Sequence, residues 1–439
     1  MDEIEKIKVV WLCHFSNAFV HEKLDLRRDY MIDLILRITH KPANTNVPEF
    51  ANWITNGIRE FNKFDDVELH VVSPYPYLKG SIQEFEANGI YYHFFQSEEN
   101  SLKTYLYRRL FRPAVIKIHR NGKTISSIIK KIKPDIIHLF GAENPEYATG
   151  FLENYQAIIT IAQLQTLLSD PDFKKNYSRD DRGFAYKTDI EKAVIRKADY
   201  VGTISPKYRR IVQQMIKADA VFLNTGLALK DSIYTEDCEK MFDFVYFAAN
   251  INKAADLALE AFGMAYQRDH TITLDIIGGY DNAMMLMLES IAEKYGIKDA
   301  ISIEGLLPTH EDVLKQIRKS RFALLPLRAD LTSGTIREAM SNGLPIITTD
   351  TGELGTQKLN LQRKNALLSP IGDALAMANN MLNLITDKEL AETMRQNGFQ
   401  TRLEARSNEM TAQRYVDAYK ACMANKRNNV PLPNVITEV

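Results

Sequence analysis

Asp330 and Glu338 stand eight positions apart on either side of Ser333-Gly334-Thr335, in the stretch DLTSGTIREAMSNGLPIITTD (330–350). Thr332 or Ser333 can cap a helix there, and Thr335-x-x-Glu338 has the spacing of a capping box if the helix starts late. Gly343 suits the left-handed position after a helix and Pro345 cannot continue one, so the helix is expected to end near Asn342. A helix start carries unpaired N–H groups and about half a positive charge, which suits phosphate. The small Ser333 and Gly334 allow close backbone approach. A carboxylate one turn further on, Glu338, is repelled by phosphate unless it takes neutral hydroxyls, so ribose or sugar diols are its natural partners. The plain alternatives are a cap carboxylate for Glu338 and a turn acid for Asp330.

These residues need a scaffold, and the chain supplies two. Short β-branched and aromatic runs at 9–13, 68–75, 90–95, 136–141, 157–162 and 200–205 alternate with helix-length stretches. A second series follows at 244–249, 273–280, 301–307, 322–327, 345–350 and 365–370. The expectation is an α/β chain of two tandem Rossmann-like, doubly wound domains with an interdomain cleft, ligands binding outside the carboxyl ends of the strands. The domains are placed at 1–226 and 227–406, with 224–240 as linker. A helix at 407–424, capped by Ser407 or Asn408, is expected to cross back to the first domain, leaving a loose tail at 425–439.

Length and composition agree with a soluble two-domain chain: 439 residues, 55 basic against 56 acidic, and 45% apolar. The near-zero charge gives no field for nucleic acid. Three distant cysteines (Cys13, Cys238, Cys422) and nine histidines without ligand spacing point away from a structural metal site, and the lack of long apolar runs points to a cytoplasmic chain. One block departs from this balance: between Lys103 and Lys133 there are ten Lys/Arg and no acid. It reads either as a solvated face paired with acids from elsewhere, or as a peripheral contact with an anionic membrane. Gly278 and Gly279, after a strand, serve a tight turn or make room for a ligand. His14, Asn17, His138 and Gln163 sit at strand ends of the first domain and are its cleft candidates, with a buried core histidine as the plainer reading of His138.

SGTIREAMSNGLPIITTD resembles the E-x7-E region of retaining glycosyltransferases of the GT-B fold, family 4 (glycosyl transferases group 1). FVYFAANINKAADLALEAF (244–262), LDIIGGY (274–280) and ISIEGLLPTHEDVLKQIRKSRFALLPL (301–327) are similar to the nucleotide-binding half of that family; PDIIHLFG (134–141) and EKAVIRKADYVGTIS (191–205) are similar to the other half. The resemblance implies a metal-independent transfer of sugar from a nucleotide diphosphate-sugar to a saccharide or lipid-linked acceptor, often for surface polysaccharide or lipopolysaccharide. Glu338 would then hold ribose hydroxyls, Asp330 donor-sugar hydroxyls, and the amides of Ser333, Gly334 and Thr335 the diphosphate. Lys253 would neutralise the leaving group, and backbone around Leu306 would frame the base. Two positions depart from the family pattern: Asn250 stands where an arginine is usual, and Ala162-Gln163 where His-Asp is usual. A catalytically silent nucleotide-sugar-binding subunit, a nucleotide-sugar epimerase and a membrane-docking scaffold are the rival readings.

Overall fold

The computed structural model describes residues 6–26, 49–75, 77–97, 119–171, 173, 181–216, 220–226, 233–236, 238–248, 253–280, 282–328, 333–352, 356, 357, 359 and 363–438. Asn250, Asp330 and most of the basic block (residues 103–118) lie outside them. The chain forms two compact units. The first comprises Met1–Lys174, Ser178–Leu229 and Arg406–Val439; the second, Lys175–Tyr177 and Lys230–Ala405.

The strands of the first unit are β1 (Ile7–Leu12), β2 (Val67–Tyr75), β3 (Ile82–Ala87), β4 (Ile90–Gln96), β5 (Ile136–Phe140), β6 (Ile159–Gln163), β7 (Tyr200–Gly202) and β8 (Phe222–Leu223). They form one sheet in the order β3-β4-β2-β1-β5-β6-β7-β8, parallel except for the β3–β4 hairpin. Alternate residues of β1 bury on opposite faces. Val9 and Trp11 meet the helices Asn52–Phe61 and Asn408–Asn428, while Val10 and Leu12 meet Ile125, Tyr147 and Val194 of helices on the other side.

The second unit contains β9 (Phe242–Phe247), β10 (Leu274–Ile277), β11 (Ile301–Gly305), β12 (Ser320–Leu324), β13 (Ile346–Thr349) and β14 (Ala366–Ser369). The order β11-β10-β9-β12-β13-β14 is all parallel and reverses direction between β9 and β12, the switch point at which doubly wound sheets bind ligands. Phe244 and Tyr246 of β9 pack with the helix Ala255–Tyr266. Val245 and Phe247 pack on the opposite face with Leu314 and Ile317 of the helix His310–Ile317 and with Ile336 and Met340 of the helix Gly334–Ser341.

The expected loose tail is corrected by the structure. The helix runs on to Asn428, and residues 434–437 form a further turn whose Ile436 is buried. Arg414 binds the carbonyl of Val435, and the carbonyl of Ile436 accepts from Asn224. A single apolar side chain three residues before Val439, in a polar segment, was too small a signal to find by periodicity. Helix Asn408–Asn428 anchors the first unit through Tyr419, whose hydroxyl accepts from Trp11 Nε1 (2.9 Å) and lies 2.7 Å from His138 Nδ1. Among the described residues of the basic block, Arg120, Lys123, Lys130 and Lys131 line the exposed face of the helix His119–Ile132, and Lys131 pairs with Glu84 at 2.6 Å. No helix among the described residues is long and apolar enough to cross a membrane.

Ile436→Ala should cost about 2 kcal/mol, the range of a buried large-to-small change, and lower the melting temperature of the full chain by a few degrees. An unchanged melting curve would return the tail to the loose state that its composition suggested.

Candidate functional site

The site is built where β9 and β12 lie side by side and their continuations part to opposite faces of the sheet. Lys253 ends the loop after β9, and Ser333 ends the loop after β12. The Lys253 ammonium donates a hydrogen bond to Ser333 Oγ, which also shares one with Thr335 Oγ1. Ser333 occupies the N-cap of Gly334–Ser341, yet its side chain makes no capping bond to that helix. The hydroxyl is given to Lys253 and Thr335 instead, so the first-turn amides are not closed off by the cap side chain. A Cβ at Gly334 would meet only Glu338 Oε1 at 3.9 Å, so the backbone there can be approached closely. Because the helix starts at Gly334, Thr335 lies inside it and the late-start capping box is corrected. The far end is as expected: Asn342 is the C-cap, and Gly343 has φ +70°.

The β12 rim is held rigidly although Pro326 interrupts the ladder. Thr348 and Thr349 of the strand PIITTD donate their hydroxyls to the carbonyls of Leu325 and Leu327, replacing lost backbone pairing. Asp350 accepts from Gly352 N and Gln357 Nε2, both at 2.9 Å, and is a turn acid.

Burial pushes the Lys253 pKa down to about 8, Glu338 pulls it up and Arg337 pushes it down. At neutral pH the ammonium is mostly charged, half-buried and next to a helix N-terminus, an arrangement that stabilises a phosphate anion. Glu338 Oε1 lies 3.7 Å from His310 Nε2, a residue absent from the sequence expectations. Its local signal was the capping box Thr309-x-x-Asp312, which starts a helix at His310. Leu306 is 52% exposed beside Gly279, where an added Cβ would sit 3.5 Å from it in ordinary contact. Gly278 is required by its own unit, because a Cβ there would come 2.8 Å from the Ala248 carbonyl and from the Tyr280 hydroxyl. No group of three metal-ligating side chains occurs among the described residues.

The first-unit candidates separate. His138 takes its plainer reading as a buried core histidine, not a cleft group, and Gln163 is corrected as a ligand-facing group, because both are about 1% exposed and are engaged inside the sheet. Gln163 donates to the carbonyls of Gly202 and Thr225 and accepts from the Thr225 hydroxyl. Burial pushes the His138 pKa down to about 3, against a smaller opposite pull from Gln163. Asn17 is the N-cap of the helix Ala18–Lys23 and accepts from Val20 N at 2.8 Å. His14 is half-buried, edge-on to Phe50 and 3.8 Å from Glu146, with burial lowering its pKa to about 4.

Glu143 was missed. It follows β5, which neighbours β1 at this sheet's own switch point; one carboxylate oxygen accepts from Asn144 at 3.3 Å and the other has no partner among the described residues. Burial pushes its pKa up to about 8. The available signal was an acid directly behind the buried FGA run.

Residues 243–387 match the family model for glycosyl transferases, group 1. An uncharacterised glycosyltransferase of Methanocaldococcus jannaschii, MJ1178, is 24% identical over 284 residues, spanning 65% of this chain and 74% of that protein. Two solved structures are similar in fold. Sucrose-phosphate synthase from Thermosynechococcus elongatus has a TM-score of 0.67 at 14% identity, over 95% of this chain and 100% of that one. Anabaena HepE in complex with UDP and glucose has a TM-score of 0.59 at 13% identity, over 94% and 100%. The architecture is therefore GT-B. The second unit carries a glycosyl transferases group 1 domain, and the chain is a glycosyltransferase enzyme.

A neutral, partly buried Glu143 favours the folded state below about pH 4.5, and that contribution is lost as pH rises toward 8, because the unfolded carboxyl ionises first. Glu143→Gln should therefore gain melting temperature over wild type as pH rises from 4.5 to 8; a pH-independent difference would show that Glu143 ionises normally.

Proposed function

We propose that the protein transfers a hexose from a nucleotide diphosphate-sugar, with retention of anomeric configuration, to a saccharide or lipid-linked acceptor. The observation that carries this reading is the meeting of Lys253 and Ser333 at the β9/β12 switch point, with Glu338 one turn into the helix. The ammonium and the first-turn amides would bind the diphosphate and stabilise charge as it leaves, while Glu338 takes the ribose hydroxyls. Asp330 would contact the donor sugar, and Asn250 the phosphates. The UDP and glucose held by HepE support a donor of this class. Protein groups alone would serve as the electrophile, with no metal. The basic residues of 103–133 would lay the protein against an anionic membrane on its cytoplasmic face, where lipid-linked acceptors for surface polysaccharide or lipopolysaccharide are presented.

A thermal-shift panel of UDP, GDP, ADP, CMP and their sugar conjugates tests the donor site. The matching nucleotide at a hundredfold over Kd should add about 2.7 kcal/mol to wild type. In Glu338→Ala, its affinity measured by calorimetry should drop about ten- to a hundred-fold, the loss of one charged hydrogen bond. Equal affinity in both proteins would remove Glu338 from the ribose site. Since the pKa of Lys253 is about 8, nucleoside diphosphate affinity should fall as pH rises through that value, and Lys253→Arg should flatten the profile. A wild-type profile that is flat between pH 7 and 9.5 would contradict a charged role for Lys253.

A further inference from the structure

His310 is placed by two independent constraints. Thr309 Oγ1 accepts from Asp312 N and the Asp312 carboxylate accepts from Thr309 N, so the start of the helix His310–Ile317 is locked by a reciprocal cap. The same helix buries Leu314 and Ile317 in the apolar cluster that also holds Ile336 and Met340 of Gly334–Ser341, so both helices are anchored on the same face of the sheet. The result is an imidazole 3.7 Å from Glu338 Oε1, with both side chains about four-fifths removed from solvent (18% and 20% exposed). That separation suits an ion pair and is too long for a hydrogen bond. The imidazole thus backs the carboxylate at contact distance without forming a hydrogen bond to it. Lys253 also acts on Glu338 through space, and Arg337 lies next to it in the helix. Of these three neighbours, His310 alone comes from the helix after β11, at the start of a helix with a reciprocal cap.

We propose that His310 is the positioning residue that holds the Glu338 carboxylate for a vicinal diol, so that recognition of the nucleotide's ribose depends on it. This rests on the nucleotide site proposed above. It predicts a selective defect: His310 matters to ligands that carry the diol and not to those that lack it.

The test compares UDP with 2′,3′-dideoxy-UDP by calorimetry on wild type, His310→Ala, His310→Gln, Glu338→Ala and the double variant His310→Ala/Glu338→Ala. Wild type should prefer UDP by about tenfold or more, the discrimination of one charged hydrogen bond. His310→Ala should lose most of that preference with dideoxy-UDP binding unchanged, His310→Gln should recover part of it, and the double variant should bind no more weakly than Glu338→Ala. Equal weakening of both ligands would make His310 a merely structural residue, and an intact preference would separate it from Glu338; either result overturns the proposal. Should His310→Ala fail to fold, His310→Gln against wild type carries the same comparison. If wild type ignores UDP, GDP and ADP with their dideoxy counterparts take its place. Failure to bind any of them would overturn the nucleotide site itself, whereas diol preference that survives loss of His310 overturns only this inference.

Discussion

The second unit depends on one constraint, that β9 and β12 are neighbours whose continuations must leave for opposite faces of the sheet. Phe244 and Tyr246 commit one exit to the helix Ala255–Tyr266, while Val245 and Phe247 commit the other face to His310–Ile317 and Gly334–Ser341. The helices that follow the two strands therefore start on opposite faces of the sheet at this rim. Lys253 reaches across it to Ser333. The bond costs a lysine part of its solvation, visible in its pKa of about 8, and takes the Ser333 hydroxyl away from capping. An ammonium and a helix start without its side-chain cap are both better satisfied by an anion than by each other.

The first unit has the same kind of switch point, between β1 and β5, but spends its polar groups differently. Trp11, His138 and Tyr419 form a buried relay that ties the sheet to the helix Asn408–Asn428. Because Trp11 donates to the Tyr419 oxygen, the tyrosine proton is directed to His138 Nδ1, which suits the neutral imidazole enforced by burial. Gln163 likewise closes on Gly202 and Thr225. At this rim burial holds His14 and Glu143 in their uncharged forms at neutral pH, and one Glu143 oxygen has no partner among the described residues.

Much of this was legible in the sequence, for physical reasons that also explain the gaps. Parallel strands buried on both faces are continuous apolar runs, so VVWLC, IIHLF and FVYFA announce themselves, and Gly343-x-Pro345 marks a helix end by backbone sterics alone. Strand β3 escaped because IQEFEA lies at a sheet edge and alternates polar with apolar residues, and β8 is only two residues long. The core of the second-unit site was visible because chemistry and local structure coincide in SGTIRE. First-unit candidates were left open because strand-end position alone does not distinguish a rim side chain such as His14 from an interior one such as His138 or Gln163. Glu143 and His310 were overlooked because the desolvation of the first and the approach of the second to Glu338 are tertiary facts, reported by no periodicity.

The most direct measurement is a crystal structure of the protein with the nucleoside diphosphate that it binds best. The account predicts phosphate oxygens against the Lys253 ammonium and the amides of Gly334 and Thr335, with Ser333 Oγ released from Lys253. A diphosphate bound away from the β9/β12 rim, with the Lys253–Ser333 bond intact, would contradict it.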